Sequence, residues 1–273
     1  FIMPELPEVE TVCRVLSKNI IGLTIKKVEI INKNLRYPLP SNIKKKILQS
    51  NIKSIIRRGK YGLILLSNRN VIIFHLGMTG KFKIDLRVYK KTKHDHLVLE
   101  FNNNLKLIYN DVRKFGYIKL AEKPFDIFNL KNLGYEPSIV TNFRDILFAK
   151  IKRRKASIKD ILLDQSFICG VGNIYASEIL YKAKISPFKK GIKFYKNEFT
   201  VLLKALQNII QEAIKKGGSS IKDYTSPQDE LGYFQTQFQV YDREGLPCYY
   251  CKSLITRVKQ GGRSTFFCIK CQN

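Results

Sequence analysis

Apolar residues recur at helical spacing near the start of the chain, at Val9, Val12, Leu16 and Ile20. Pro7 with Glu8 and Glu10 suits a helix N-terminus, and Gly22 ends the stripe. From residue 24 to residue 120 the period changes. Short β-branched-rich runs separated by Gly and Asn predict strands at 24–31, 52–57, 61–66, 71–76, 97–101, 105–109 and 117–120. So many short strands predict a β-sandwich or a barrel. Beyond Pro124 helical spacing returns, at 143–152, 158–164, 174–183 and 194–215. The last of these carries a full stripe through Phe199, Leu202, Leu203, Leu206, Ile209, Ile210 and Ala213, closed by Gly217-Gly218. Residues 235–241 and the final 30 turn back to strand-like, turn-rich sequence. The order is a helix plus a β domain, then a helical domain, with a broad linker at 123–142, then a small cysteine-rich module.

Composition narrows the class. The chain has 273 residues, which favours more than one core. Lys and Arg number 49 against 22 Asp and Glu, a formal charge of +27. Such an excess repels itself in the folded state, and a polyanionic partner is its usual explanation. Nucleic acid is favoured over a membrane, because no apolar run approaches the roughly 20 residues of a spanning helix. A bland alternative is the lysine bias of an AT-rich genome, to which the abundant Ile and Asn also point. No secretory signal is evident around Phe1-Ile2-Met3, so the expected location is a reducing cytoplasm.

Four of the six cysteines crowd into the last 26 residues as Cys248-x-x-Cys251, a 16-residue gap, and Cys268-x-x-Cys271. Two such knuckles let four thiolates converge on one Zn2+, with a β-hairpin between them. A module this short would be held together largely by its metal. Two disulfides are the alternative, disfavoured without a secretory context. Arg257, Lys259, Gly261, Gly262 and Arg263 form a basic, glycine-containing tip, suited to gripping a phosphate or to lying exposed as a soluble loop. Cys13 and Cys169 read as buried thiols.

The opening Pro4-Glu5-Leu6-Pro7-Glu8-Val9-Glu10-Thr11, taken with the cysteine knuckles, resembles the formamidopyrimidine-DNA glycosylase family. The resemblance continues through Arg58-Gly59-Lys60-Tyr61, His75-Leu76-Gly77-Met78-Thr79-Gly80, Lys93-His94-Asp95-His96 and Asp111-Val112-Arg113-Lys114-Phe115-Gly116. It resumes at Gly170-Val171-Gly172-Asn173-Ile174-Tyr175-Ala176, Gly217-Gly218-Ser219-Ser220, Gln239-Val240-Tyr241 and Arg263-Ser264-Thr265-Phe266-Phe267-Cys268. It implies an α+β fold: an N-terminal β-sandwich with a leading helix (1–132), a helix–two-turns–helix domain (133–235) and a zinc finger (236–273). It further implies a monomeric base-excision repair enzyme acting on damaged duplex DNA. Leu6 and Val9-Glu10 resemble the oxidised-purine branch rather than the endonuclease VIII branch.

The resemblance assigns chemistry residue by residue. Pro4, once Met3 is removed, would be a secondary-amine nucleophile; an α-amine titrates near pH 8 and is partly neutral at physiological pH. Glu5 matches the general acid, Lys60 a lysine that contacts phosphate and assists β-elimination, and Arg263 the arginine that grips phosphates beside the lesion. Met78, Arg113 and Phe115 match the set that fills the gap left by an extruded nucleotide. Val112 and Lys114 stand where the family more often has Pro and Arg, which predicts a less rigid loop. His94, Arg113, Arg154 and Asn173 match DNA-binding positions, the last at a helix N-terminus suited to phosphate. Residues 217–224 match a loop that closes over the flipped base, with Lys159 near that pocket. Read without the resemblance, Pro4 is a rigid helix start, Met78 and Phe115 are core residues, and Lys60 is one lysine among many. His75, His94 and His96 are better suited to hydrogen bonding than to holding a metal. The competing functions are a catalytically silent binder of damaged DNA and a glycosylase that prefers oxidised pyrimidines.

Overall fold

A computed structural model of the chain describes residues 3–85, 89–124, 128–219 and 234–272. Two compact units emerge, one from residues 1–132 and 217–232, the other from 133–216 and 233–273.

The first unit opens with helix α1 (Leu6–Ile20), whose expected apolar stripe is buried. Strands β1 (Ile25–Ile30), β2 (Ile52–Arg58), β3 (Tyr61–Leu66), β4 (Val71–His75), β5 (Gly80–Asp85), β6 (Asp95–Phe101), β7 (Lys106–Asp111) and β8 (Tyr117–Ala121) follow, with the short helix α2 (Ile43–Ile47) between β1 and β2. They pair antiparallel in two four-stranded sheets, ordered β1-β6-β7-β5 and β2-β3-β4-β8. One core joins Val12, Leu16 and Ile20 of the helix to Ile64, Ile72 and Phe74 of one sheet and Phe82, Leu97 and Leu107 of the other. The sandwich, rather than the barrel, is the architecture. Arg57 of β2 donates to Glu10 of α1 at 2.7 Å and to the Gly59 carbonyl at 3.2 Å, fixing the β2–β3 turn against the helix. Burial alone would raise the Glu10 carboxyl, but the guanidiniums of Arg57 and Arg14 override it and hold it below the usual range.

After the four-residue helix α3 (Phe128–Lys131), which closes the first unit's N-terminal stretch, the second unit is helical. A 3-10 segment (Pro137–Phe143) leads into α4 (Arg144–Ile151), α5 (Ile158–Leu163), α6 (Asn173–Lys182) and α7 (Lys196–Lys215). Ser157 caps α5 by accepting the Asp160 N–H, and every apolar residue predicted along α7 is buried. A hairpin of β9 (Thr256–Gln260) and β10 (Arg263–Phe267) follows, its turn made by Gly261 and Gly262, both at positive φ.

Residues 235–241 are not the expected strand. The chain there makes a 3-10 turn (Phe234–Gln237) and then bends. The backbone N–H groups of Gln239, Val240 and Tyr241, which a sheet would have used, all donate to the buried Glu178 carboxylate of α6, at 2.8–3.0 Å. Burial pushes that carboxyl up, against the pull of the three donors. No described helix is long and apolar enough to cross a membrane.

Candidate nucleic-acid interface and metal centre

In the first unit, Pro4 and Glu5 are both buried at the head of α1. Glu5 is the N-cap residue and forms a reciprocal capping box with Glu8. Its N–H donates to Glu8 Oε2 at 2.9 Å. The other oxygen, Glu8 Oε1, accepts the N–H of Ser219 at 2.8 Å and its hydroxyl at 2.9 Å. Glu8 thus links the segment bearing Pro4 and Glu5 to the start of the 217–224 segment, of which residues 220–224 lie outside the described residues. Sequence reasoning gave Glu8 only a helix-dipole role. A buried acid at helix position N3 was the available signal, but its partner is 211 residues away.

Lys60 sits in the β2–β3 turn and is only 6% exposed. Burial, with the Lys60 ammonium nearby, lowers the pKa of His75 to about 4, so this imidazole is neutral. His75 Nδ1 accepts the Gly77 N–H at 3.0 Å, and the ring stacks on Tyr117 at 5.6 Å and 13°. His75 is therefore a structural acceptor, and His96 donates Nε2–H to the Asp111 carbonyl at 2.9 Å. Among the described residues, the one cluster of His, Cys, Asp or Glu with metal-ligand proximity contains no histidine.

Met78 and His94 are partly exposed on loops beside the sandwich. Phe115 is 40% exposed, in contrast with a core aromatic. Arg113 lies on its face, with the guanidinium carbon 4.7 Å from the ring centroid. The same segment exposes Val112 and turns through Lys114 at φ +59°. The Met78 and Arg113–Phe115 loops abut, because a Cβ on Gly77 would come within 2.4 Å of the Phe115 carbonyl carbon and the Gly116 nitrogen.

In the second unit, Arg263 is exposed at the tip of the β9–β10 hairpin. The carbonyl of Ser264, the next residue, accepts Asn173 Nδ2–H at 3.0 Å and Lys159 Nζ–H at 2.8 Å. Lys159 also donates to Thr265 Oγ1 at 2.6 Å. Lys159, expected near the base pocket, is fully buried and ties the hairpin to α5. Asn173 begins α6; its Oδ1 is buried without a hydrogen-bond partner, while its Nδ2 holds the hairpin. Arg154 pairs with Asp164 at 2.6 Å and stacks on Phe167, yet remains about one-third exposed.

The sulfur atoms of Cys248, Cys251, Cys268 and Cys271 lie within 4.8 Å of one another. Cys251 and Cys268 Sγ are 3.3 Å apart, and Cys248 and Cys271 Sγ 3.9 Å. Four thiolates at about 2.3 Å from a tetrahedral zinc would be about 3.8 Å apart, so the donor set fits such an ion. Tyr181 of α6 reaches Cys248 Sγ at 3.1 Å, a contact outside the ligand set that sequence reasoning missed.

Two family models match the chain: the formamidopyrimidine-DNA glycosylase N-terminal domain over residues 3–118, and the H2TH domain of the same family over residues 133–225. The formamidopyrimidine-DNA glycosylase of Rickettsia bellii (strain OSU 85-389) is 43% identical over 275 residues, covering 99% of both chains. That of Zymomonas mobilis is 44% identical over 273 residues, covering 99% of this chain and 100% of its own. The Lactococcus lactis Fpg bound to DNA containing an abasic site superposes with a TM-score of 0.91 at 36% identity, over 98% of this chain and 99% of that one. These matches, with the sandwich, the helical unit and the four-cysteine cluster, show that the chain belongs to the formamidopyrimidine-DNA glycosylase family, a family of DNA glycosylases with lyase activity at abasic sites.

Proposed function

We propose that this chain excises oxidised purines, 8-oxoguanine and formamidopyrimidines, from duplex DNA and then cleaves the strand by β- and δ-elimination, using Pro4 as nucleophile. The observation that carries the reading is the buried Pro4-Glu5 pair, held at the head of α1 by Glu8. The chemistry requires a Pro4 nitrogen freed of Met3, since an acylated ring nitrogen has no nucleophilic lone pair.

The neutral secondary amine attacks C1′ of the damaged nucleotide, forming an N–C bond as the glycosidic bond breaks, and the base departs carrying the proton that the new ammonium gives up. Glu5 gives a proton to the sugar ring oxygen, which opens the ring and leaves an iminium. Loss of a C2′ proton expels the 3′ phosphate, and a second elimination expels the 5′ phosphate. Lys60 and Arg263 stabilise the phosphates that leave. Met78, Arg113 and Phe115 occupy the gap in the duplex, with His94, Arg154 and Asn173 on the backbone. Residues 1–132 would supply the nucleophile, 133–235 the helical grip and 236–273 a module built around one Zn2+. The protein would act as a monomer in the bacterial cytosol.

A mutant of the Lactococcus lactis Fpg in complex with Fapy-dG-containing DNA, with a TM-score of 0.91 at 37% identity, supports the purine reading. A complex of that enzyme with oxidised-pyrimidine DNA supports a second, broader reading that includes oxidised pyrimidines. The test is borohydride trapping on a duplex carrying 8-oxoguanine opposite cytosine, with intact-mass analysis of the trapped protein. A covalent adduct on a chain beginning at Pro4 is expected. Full strand cleavage by a chain whose Pro4 nitrogen remains acylated would overturn the mechanism.

A further inference from the structure

Resting on that reading, we infer that Asp111 is a positioning residue that locks the DNA-facing residues of three separate loops into one fixed array. Asp111 ends β7 and is fully buried. Its Oδ1 accepts the Thr79 hydroxyl at 2.6 Å, and its Oδ2 accepts the Gly116 N–H at 2.8 Å. The same Thr79 oxygen accepts the Arg113 N–H at 3.0 Å. The backbone of Asp111 reaches a third loop, donating its N–H to the His94 carbonyl at 3.0 Å.

One side chain therefore joins the residue after Met78 to both ends of the Arg113–Phe115 segment, and its backbone holds His94. Close packing reinforces the junction. A Cβ on Gly116 would fall 2.0 Å from the Tyr109 hydroxyl, and Gly77 leaves room for the Phe115 and Gly116 backbone. Lys114, at φ +59°, has its carbonyl held by the Arg36 N–H at 2.9 Å. Val112 and Lys114 led the sequence to predict a loop of low rigidity. The carboxylate supplies a rigidity that no residue within the loop announces.

The carboxylate suits this junction because both of its oxygens accept. An amide that kept the Gly116 bond would turn its N–H toward the Thr79 hydroxyl, which would have to swing its own hydrogen away while still accepting from Arg113. An array that enters a duplex tolerates little displacement, because errors of about 1 Å cost roughly a hundredfold in rate. An abasic site in a single strand needs no insertion between base pairs. The two substrates therefore separate positioning of the array from general damage to the fold or the nucleophile.

The experiment compares the wild type, Asp111→Asn, Thr79→Val and Thr79→Ser. It measures single-turnover excision of 8-oxoguanine from a duplex and borohydride trapping on a single-stranded abasic oligonucleotide. Asp111→Asn and Thr79→Val are expected to lose about tenfold or more on the duplex, the effect of one lost charge-assisted hydrogen bond. Both should stay within about twofold on the single strand, with Thr79→Ser near wild type on both substrates. Equal losses on the two substrates, or no loss on either, overturn the positioning role. Should Asp111→Asn fail to fold, the Thr79 pair decides by the same criterion. A wild type that forms no adduct with either substrate overturns the functional reading itself, and the inference with it.

Discussion

Glu8 Oε1 accepts two hydrogen bonds from Ser219, while its Oε2 accepts the N–H of Glu5. Three donors converge on one buried carboxylate, which places the candidate general acid and the start of the 217–224 segment in one rigid frame. Glu8→Gln should lower unfolding free energy by about 2 kcal/mol, because one donor then faces another in a buried site. It should also slow trapping on abasic DNA by about tenfold or more. Ser219→Ala keeps the backbone donor and should cost about 1 kcal/mol. Urea unfolding and borohydride trapping measure both; trapping at the wild-type rate in Glu8→Gln would show that this frame does not serve the chemistry.

Lys159 offers a test of structural against DNA-contacting lysines. Its ammonium holds Ser264 and Thr265 from the interior, so Lys159→Met should weaken duplex binding by loosening the hairpin tip that carries Arg263. A drop of about fivefold is expected, with the slope of log affinity against log salt unchanged. A lysine that touched phosphate would instead reduce that slope by roughly one. Filter binding across a salt series distinguishes the two.

Removing the metal should dismantle the hairpin. Four sulfurs within 4.8 Å of one another hold a segment with little apolar area of its own. Zinc measured by atomic absorption is expected at one equivalent per chain. Strong chelation, or Cys268→Ser, should abolish duplex binding while leaving the first unit's sandwich folded. Retention of binding without metal would show that the thiols alone sustain the module.

His75 sets a pH dependence of stability. Its pKa of about 4 in the folded state lies below the ordinary 6.5, so the unfolded chain binds the extra proton between those values. Its contribution is complete above pH 6.5 and is lost as pH falls toward 4, by at most about 3 kcal/mol. His75→Asn, which can still accept from Gly77, should flatten that part of the curve in urea titrations. An equal slope in both proteins would place the titration elsewhere.

Long elements and the metal module could be read from the chain because their signals are local. Leu16 and Ile20, Leu202 and Leu206, and the paired cysteines each repeat within a few residues. Strand β5 escaped because only Phe82 and Ile84 mark its buried face, between Lys81, Lys83 and Asp85. Helix α2 escaped because five residues with three consecutive lysines give almost no stripe. The roles of Glu8, Asp111 and Lys159 depend on partners brought together only by folding. A buried lysine and a surface lysine have the same letter. Segment 235–241 misled for a related reason, since its strand-like composition yields to a carboxylate on another element.

That carboxylate, Glu178, moors residues 239–241 to α6 without help from the thiols. The chain leading into the metal module is therefore fastened twice, by chemically unrelated means. A protease acting on the metal-free protein should trim from the carboxyl end and stall near Tyr241, yielding a stable shortened product. Such a fragment would lack the hairpin yet retain the helical unit to which it had been anchored.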